Sequence, residues 1–541
     1  MRLRQIQFLV LFAAAIIAGS CSKDVKLGDP PYPGSVEPAY KFGPDRPVPA
    51  RTNAGALVTY QIAGLKSREG TFKFFISNVE AEITAVTDNS VTVKVPLTAI
   101  SGNASILIDG NYVFGPNLTI LGDVEVDPGF SVSGTRSNGS ILGISMVSNT
   151  NFYLYGRFSN YAGIGTTQVP LRGIVKIDAD GDIVGAVGNH TLSGAIQGNV
   201  NFLQQLSTGE YIVGGGFSAF DTVPNVNGLA RLSSTGILQT RVVDVVNPDP
   251  INDPGADKDT VSALNAGVSG GDVLRAFETD DQGLIVIGNF EGYISTFYDN
   301  STKSSPYFDN ILAPGAFKVF NDGTYDSTFN YDYATKRGRS GPNGKILDAI
   351  QLPEGDVIMV GNFTTYNGTA ANRIVRLGVA DGKVNAAFSS LGGANGIINT
   401  VKYNENTGKI MLAGTFSRYN DVAVNGVVMI NPDGSIDNSF QFKAIEGGIV
   451  NFAAQINHHG FIIVSGSFTH YGGQVRPGLA ILNPNGELAS GFNNFGLFRG
   501  SISNVLEVNS ASGLPSLFLT GLFDRYDNLE VGNFLKLNFK N

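Results

Sequence analysis

"VIMVGNFTTYNG" fills residues 357–368, and near-copies of its core recur through most of the chain. "YLYGRFSNY" ends at Tyr161, "YIVGGGFSAF" at Phe220, "LIVIGNFEGY" at Tyr293, "IMLAGTFSRY" at Tyr419, "IIVSGSFTHY" at Tyr471 and "LFLTGLFDRY" at Tyr526. Each copy is an apolar run, then Gly-x-Phe, then an aromatic three residues beyond the Phe. The seven Phe are Phe158, Phe217, Phe290, Phe363, Phe416, Phe468 and Phe523, separated by 59, 73, 73, 53, 52 and 55 residues. Repetition at such intervals marks a chain built from stacked copies of one small unit.

The unit reads as four short strands. An apolar strand such as "KILDAIQL" (345–352) comes first, the Gly-x-Phe strand second, and a third such as "RIVRL" (373–377) follows. Six third strands run into a two-residue turn: Asp180-Gly181, Thr235-Gly236, Asp322-Gly323, Asp381-Gly382, Asp433-Gly434 and Asn485-Gly486. Glycine there supplies the positive φ of a tight hairpin. A fourth strand is expected next, often opening on a Phe: Phe329, Phe388, Phe440 and Phe492. Seven antiparallel four-stranded units predict a seven-bladed β-propeller over residues 123–541. The last copy stops after its third strand, at "FLKLNFKN". "Asp127-Pro128-Gly129-Phe130", ahead of the first copy, matches "Asp437-Asn438-Ser439-Phe440" after the fifth. Residues near 126–132 are therefore expected to complete the seventh blade and leave no open edge in the ring.

The whole chain is 541 residues with a net charge of -9, 68 Gly and no Trp. No segment is strongly basic, which argues against a nucleic-acid partner. At the N-terminus Arg2 and Arg4 precede an apolar stretch from Ile6 to Ala18. That pattern is a secretory signal, too short for a comfortable membrane span. "Ala18-Gly19-Ser20-Cys21" resembles a bacterial lipobox and carries the only cysteine. The resemblance implies that residues 1–20 are removed and that Cys21 carries lipid. Prolines at 30, 31, 33, 38, 44, 47 and 49 make residues 21–50 an extended tether.

Residues 51–122 alternate in "LVTYQI" and "NSVTVKVP", the period-two pattern of half-buried strands. "YQIAGL" (60–65), "AEITAVTDNSVTVKVP" (81–96) and "GNASILIDG" (102–110) resemble an IPT/TIG domain, a small immunoglobulin-like sandwich that often serves as a spacer. The repeat resembles the delta-60 type propeller repeat, most fully in Gly361-Asn362-Phe363, Arg376-Leu377 and Asp381-Gly382. The fold class expected is thus all-β, a seven-bladed propeller behind a small sandwich. Lipobox, sandwich and propeller in this order resemble surface lipoproteins of Bacteroidota. That resemblance implies the outer membrane, a partner among TonB-dependent transporters, and a glycan or peptide cargo. The alternative is a structural or adhesive protein that binds other proteins at the cell surface.

What recurs in seven copies is most simply architecture, so function is sought where the repeat is broken. Three departures fall in links that share one propeller face: 239–270, 293–315 ("YISTFYDNSTKSSPYFDNILAPG") and 331–343 ("YDYATKRGRSGPN"). They are expected to bring Phe297, Tyr298, Tyr307, Phe308, Tyr331 and Tyr333 near Lys336, Arg337 and Arg339 beside blade three. Aromatics among adaptable Ser, Asn and Gly suit a recognition surface.

Signals for catalysis are weak. "Gly267-Val268-Ser269-Gly270-Gly271" fits G-x-S-x-G, but it leads into a strand and not a helix, as a nucleophile elbow requires. His458 and His459 precede a strand that ends near His470, too far apart to share a metal, and His190 stands alone. "Asp178-Ala179-Asp180-Gly181-Asp182" opens like a calcium loop, yet Asn189 stands where the closing Glu would be. No catalytic residue, cofactor or metal is expected.

Overall fold

A computed structural model describes residues 40–130, 137–165, 171, 173–184 and 198–540. Cys21, the signal segment and most of the tether lie outside the described residues, as does His190. In the rest, the repeated motif has one physical cause. The Gly of every Gly-x-Phe copy packs against a carbonyl oxygen just ahead of, or at the start of, its blade's first strand. A Cβ on Gly156, Gly215, Gly288, Gly361, Gly414, Gly466 or Gly521 would sit 1.9 to 2.3 Å from that oxygen. No other residue fits so close a backbone approach. All seven blades also carry a register shift between first and second strands at this height. Such a bulge bends and twists the first strand.

The seven motif Phe are all buried, each contributing about 1.5–3 kcal/mol by leaving water. The aromatic three residues later is buried too, and in four repeats its hydroxyl reaches the turn glycine of its own repeat. Tyr161 donates to the Gly181 carbonyl at 2.7 Å, Tyr293 to Gly323 at 2.9 Å, Tyr419 to Gly434 at 3.2 Å and Tyr471 to Gly486 at 2.6 Å. The recurrent stretch thus ties one hairpin of a blade to the other.

The blades follow in chain order, each with an antiparallel core of three strands. Blade one is Ile141–Ser148, Asn151–Gly156 and Ile174–Asp178; blade four is Ile346–Gln351, Val357–Gly361 and Ile374–Leu377. The fourth strand is slighter than expected. Among the described residues it is in six blades a single bridge past the turn, as between Ile177 and Ile183 or Leu377 and Val384. Phe388, read as the opening of a strand, lies on the helical turn Ala386–Ser389, capped by the Asn385 side chain. Blade seven differs: Phe498–Asn509, Pro515–Tyr526 and Phe534–Phe539 are joined by Val124–Val126, which pairs Leu537 with Val126 and Phe539 with Val124. Phe130, just beyond, packs edge-on against Phe534 at 5.1 Å.

The N-terminal body is a seven-stranded sheet folded over one core that includes Val58, Tyr60, Phe74, Val93 and Ile106. Its first strand, Arg51–Asn53, runs parallel to the end of Asn111–Leu121. The chain joins this body before Arg51. Phe42 is buried in the core and bridges Ile62, and its ring fills the space over Gly115. Sandwich and propeller touch through backbone and side chain. Ser101 N donates to Asn494 O at 2.9 Å, and Arg476 Nη1 to Thr98 O at 3.1 Å. Asn117 and Asn528 also bond across this junction.

Candidate functional site

The three departures fold into small sheets beside blade three. Thr240–Asp244 pairs with Lys258–Ser262. Gly267–Ser269, Gly292–Thr296 and Phe308–Leu312 form a meander, and Tyr331–Asp332 pairs with Arg337–Gly338. They are stitched together: Val246 N donates to Ser301 O at 2.7 Å, Lys303 Nζ to Gly255 O at 2.9 Å, and Asn265 exchanges two bonds with Thr296. Gly338 packs against Ala313 at the end of the meander, where a Cβ would clash.

The eight candidate residues fall into two groups. In the first, Phe297 and Tyr307 meet edge to face at 6.4 Å and are about half exposed. Tyr298 lies half-buried between the hairpin and the meander with the Arg241 guanidinium 5.6 Å over its ring. Burial raises the pKa of its hydroxyl against the opposing pull of Arg241. Phe308, opposite Thr296, is half-buried. In the second group Tyr331 and Tyr333 meet at 5.2 Å, with Tyr333 well exposed. Arg337 and Arg339 are exposed beside them, as is Lys336. Tyr325 connects this group to the blade core: it packs on Tyr331 at 5.8 Å and on Tyr293 at 5.2 Å. Sequence reasoning missed Tyr325 and Arg241, since neither lies in an aromatic-rich run.

The face is open. A cleft between the hairpin and the meander, bounded by Asn227, Asp259, Asn265, Tyr298 and Lys303, holds only about 40 Å³, room for about one water. A larger depression of about 590 Å³ lies among the strand-one to strand-two turns of blades three to five, lined by Glu278, Asp281, Lys318, Glu354, Tyr403 and Glu405. Between these faces the first strands pack around the axis and hold a charged triad. Asp348 accepts from Arg275 Nη2 at 2.7 Å and from Lys402 Nζ at 2.8 Å. Burial pushes its carboxyl up, but Lys402 and Arg275 outweigh that and hold it below the usual range. The triad joins blades three, four and five.

The remaining motifs lie in strands and turns where described. Ser269 ends a strand of the meander, and its hydroxyl faces Asn310. Asp178 accepts from the backbone of Asp180 and Asp182, which is the hairpin turn itself. Asp249 is held by Asn252, and Asp244 by Lys258. The rings of His458 and His459 meet at a tilt in a short turn, their centroids 4.2 Å apart. Among the described residues no group of three or more His, Cys, Asp or Glu is placed to hold a metal, and no helix is long and apolar enough to cross a membrane.

Comparison with known families agrees with the propeller. Residues 352–388, 405–440 and 460–492 match a family described as a domain of unknown function (DUF5122) beta-propeller. Residues 19–116 match a second domain of unknown function, DUF5008. No curated protein matches. Similar solved structures include an auxiliary nutrient binding protein from Bacteroides thetaiotaomicron, with 9% identity over 93% of this chain and 97% of that one, at a TM-score of 0.29. Another auxiliary nutrient binding protein, from Bacteroides ovatus, shows 10% identity over 92% and 97% at 0.28. YCF48 bound to D1 peptide shows 8% identity over 77% and 96% at 0.37. At these scores the likenesses carry no argument about the site.

Proposed function

We propose that the chain is a non-catalytic lipoprotein, held in the outer membrane through Cys21, that presents its propeller face to a ligand or partner in nutrient uptake through a TonB-dependent transporter. The observation that carries this reading is the surface beside blade three. There Phe297, Tyr307 and Tyr333 are exposed on rigid, hydrogen-bonded insertions, next to Arg337 and Arg339. Exposed aromatics and arginines on a stiff scaffold are what binding surfaces use for anchors. The cleft on this face holds only about 40 Å³, which favours a ligand that lies across the surface, such as a glycan or peptide chain, over a small enclosed molecule.

The test is a crosslinked pull-down of the native protein from solubilised outer membrane, with partners identified by mass spectrometry. A TonB-dependent transporter among them, lost when Tyr307 and Tyr333 are replaced by Ala, is the expected result. Recovery of only other surface proteins would overturn the uptake reading in favour of adhesion or scaffolding.

A further inference from the structure

The outer face of the sandwich carries an aromatic patch that neither its core nor the propeller uses. Tyr112 and Phe114 stand two residues apart on one strand, so both project from the same face. They are 55% and 72% exposed, and their rings lie 6.4 Å apart at only 18° to one another. Phe75 joins from a nearby strand of the same sheet, 6.1 Å from Tyr112. Packing within the sandwich does not require this, because the core is filled by the alternate residues Phe74 and Ile106.

The patch has a definite place. Along its strand Asn117 hydrogen-bonds to Asn528 of the propeller. Phe114 and Tyr112 lie about 10 and 17 Å further on, at ~3.4 Å per residue. The N-terminal chain enters at this same end, where Phe42 covers Gly115, the neighbour of Phe114. Eighteen residues, 22–39, separate Cys21 from Tyr40, a leash of at most about 60 Å. Several charges on this part of the sandwich are paired: Lys66 with Glu69 at 2.7 Å, Lys73 with Glu80 at 2.9 Å, and Arg68 with Asp109.

From this we infer that Tyr112, Phe114 and Phe75 form a membrane-contact patch, which seats the sandwich in the headgroup region of the bilayer that holds the lipid. The inference rests on the lipid-anchor reading of Cys21. Aromatic side chains with an apolar body favour the bilayer interface. A lipid anchor tethers the chain without orienting it, and a second apolar contact would fix the sandwich against the surface. The patch acts by burial of rings and not by attraction to anionic lipid.

The experiment uses the mature chain with Cys21→Ser, which has no acyl chain, in flotation with phosphatidylcholine vesicles with and without phosphatidylglycerol. The parent is expected to partition weakly onto both vesicle types, in proportion to the lipid present. Tyr112→Ser with Phe114→Ser should cut its partitioning about tenfold or more without moving its melting temperature. Equal partitioning of the double variant, or no flotation of the parent, would overturn the inference. So would flotation that needs phosphatidylglycerol and vanishes in salt. Failure of the anchor reading would appear separately, as an unmodified Cys21 in the mass spectrum of the native protein.

Discussion

Lys536 Nζ lies 2.9 Å from Asp127 Oδ2, and these side chains, from opposite ends of the propeller, are almost entirely shut off from water. Lys536 also donates to the Ala179 carbonyl at 3.0 Å, and the Asp127 amide donates to the Lys536 carbonyl at 3.0 Å. The same use of an aspartate recurs inside blade five, where Lys409 meets Asp437 at 2.6 Å. In blade seven the contact closes the ring.

Lys536→Met would strand a buried carboxylate, and breaking one side of such a pair costs about 3–5 kcal/mol. Urea unfolding should show that loss, while Lys536→Met combined with Asp127→Leu should recover much of it. Acid gives a second readout. Burial pushes the Asp127 carboxyl up, but Lys536, the Gly129 amide and Asn538 together hold it below its ordinary value. A depressed carboxyl stabilises the fold above its unfolded pKa, about 3.9, and the stability is lost as pH falls through the lower folded value. The parent should therefore lose stability below about pH 4, and Lys536→Met should lose less over that range.

Asp527 has the opposite sign. It sits at the junction of sandwich and propeller, accepting from Gly496 N at 2.9 Å. Burial raises its pKa in spite of that bond and of Ser101 and Arg51 nearby. A raised carboxyl favours folding while protonated, and that contribution fades as pH rises through the folded value. Asp527→Asn keeps an oxygen for Gly496 and tolerates the positive φ of this position. It should raise the melting temperature at pH 7 and lose its advantage towards pH 4. Calorimetry at both pH values decides the matter, and equal melting temperatures at pH 7 would remove Asp527 as a source of strain.

Two buried tyrosines separate a hydroxyl that bonds from one that does not. Tyr471 donates to Gly486 at 2.6 Å and accepts from Lys443 N at 3.1 Å, whereas the equally buried Tyr211 hydroxyl finds no partner among the described residues. Tyr471→Phe should lower stability by about 1–3 kcal/mol, because Lys443 N and Gly486 O lose their partner. Tyr211→Phe should be neutral or stabilising, measured by the same denaturant series.

The fold class was legible because one local requirement repeats. Each Gly-x-Phe copy must make the same close backbone approach, and Asp127–Phe130 resembles Asp437–Phe440 because the aspartate of each pairs with a lysine of its blade. What escaped the sequence depends on contacts between distant residues. Arg275, Asp348 and Lys402 share no motif, and only the ring brings three successive blades together around one carboxylate. Period-two alternation marked the strands of the sandwich, but it could not tell which outer face would leave Tyr112 and Phe114 bare. For the same reason an aromatic-rich loop could be read for its composition but not for its depth. Tyr298 and Tyr307 look alike in the sequence, yet Arg241, 57 residues before Tyr298, covers one and not the other.

That difference in depth divides the candidate face into anchors and supports. Tyr307 and Tyr333 are exposed beyond half their surface, so Tyr307→Ala and Tyr333→Ala should leave stability within about 0.5 kcal/mol of the parent. Tyr298 is half-buried under Arg241, and Tyr298→Ala opens the seam between hairpin and meander. It should destabilise the insertions by about 1–3 kcal/mol and loosen them, which hydrogen exchange at Thr240–Asp244 would report. If the face binds, all three variants weaken binding, but for two reasons. Tyr307 and Tyr333 would act by lost contact, raising the dissociation rate. Tyr298 would act by lost preorganisation, weakening binding more as temperature rises and the insertions open. Surface plasmon resonance against the recovered partner at two temperatures distinguishes them. Unchanged binding in Tyr307→Ala and Tyr333→Ala would move the recognition surface off blade three altogether.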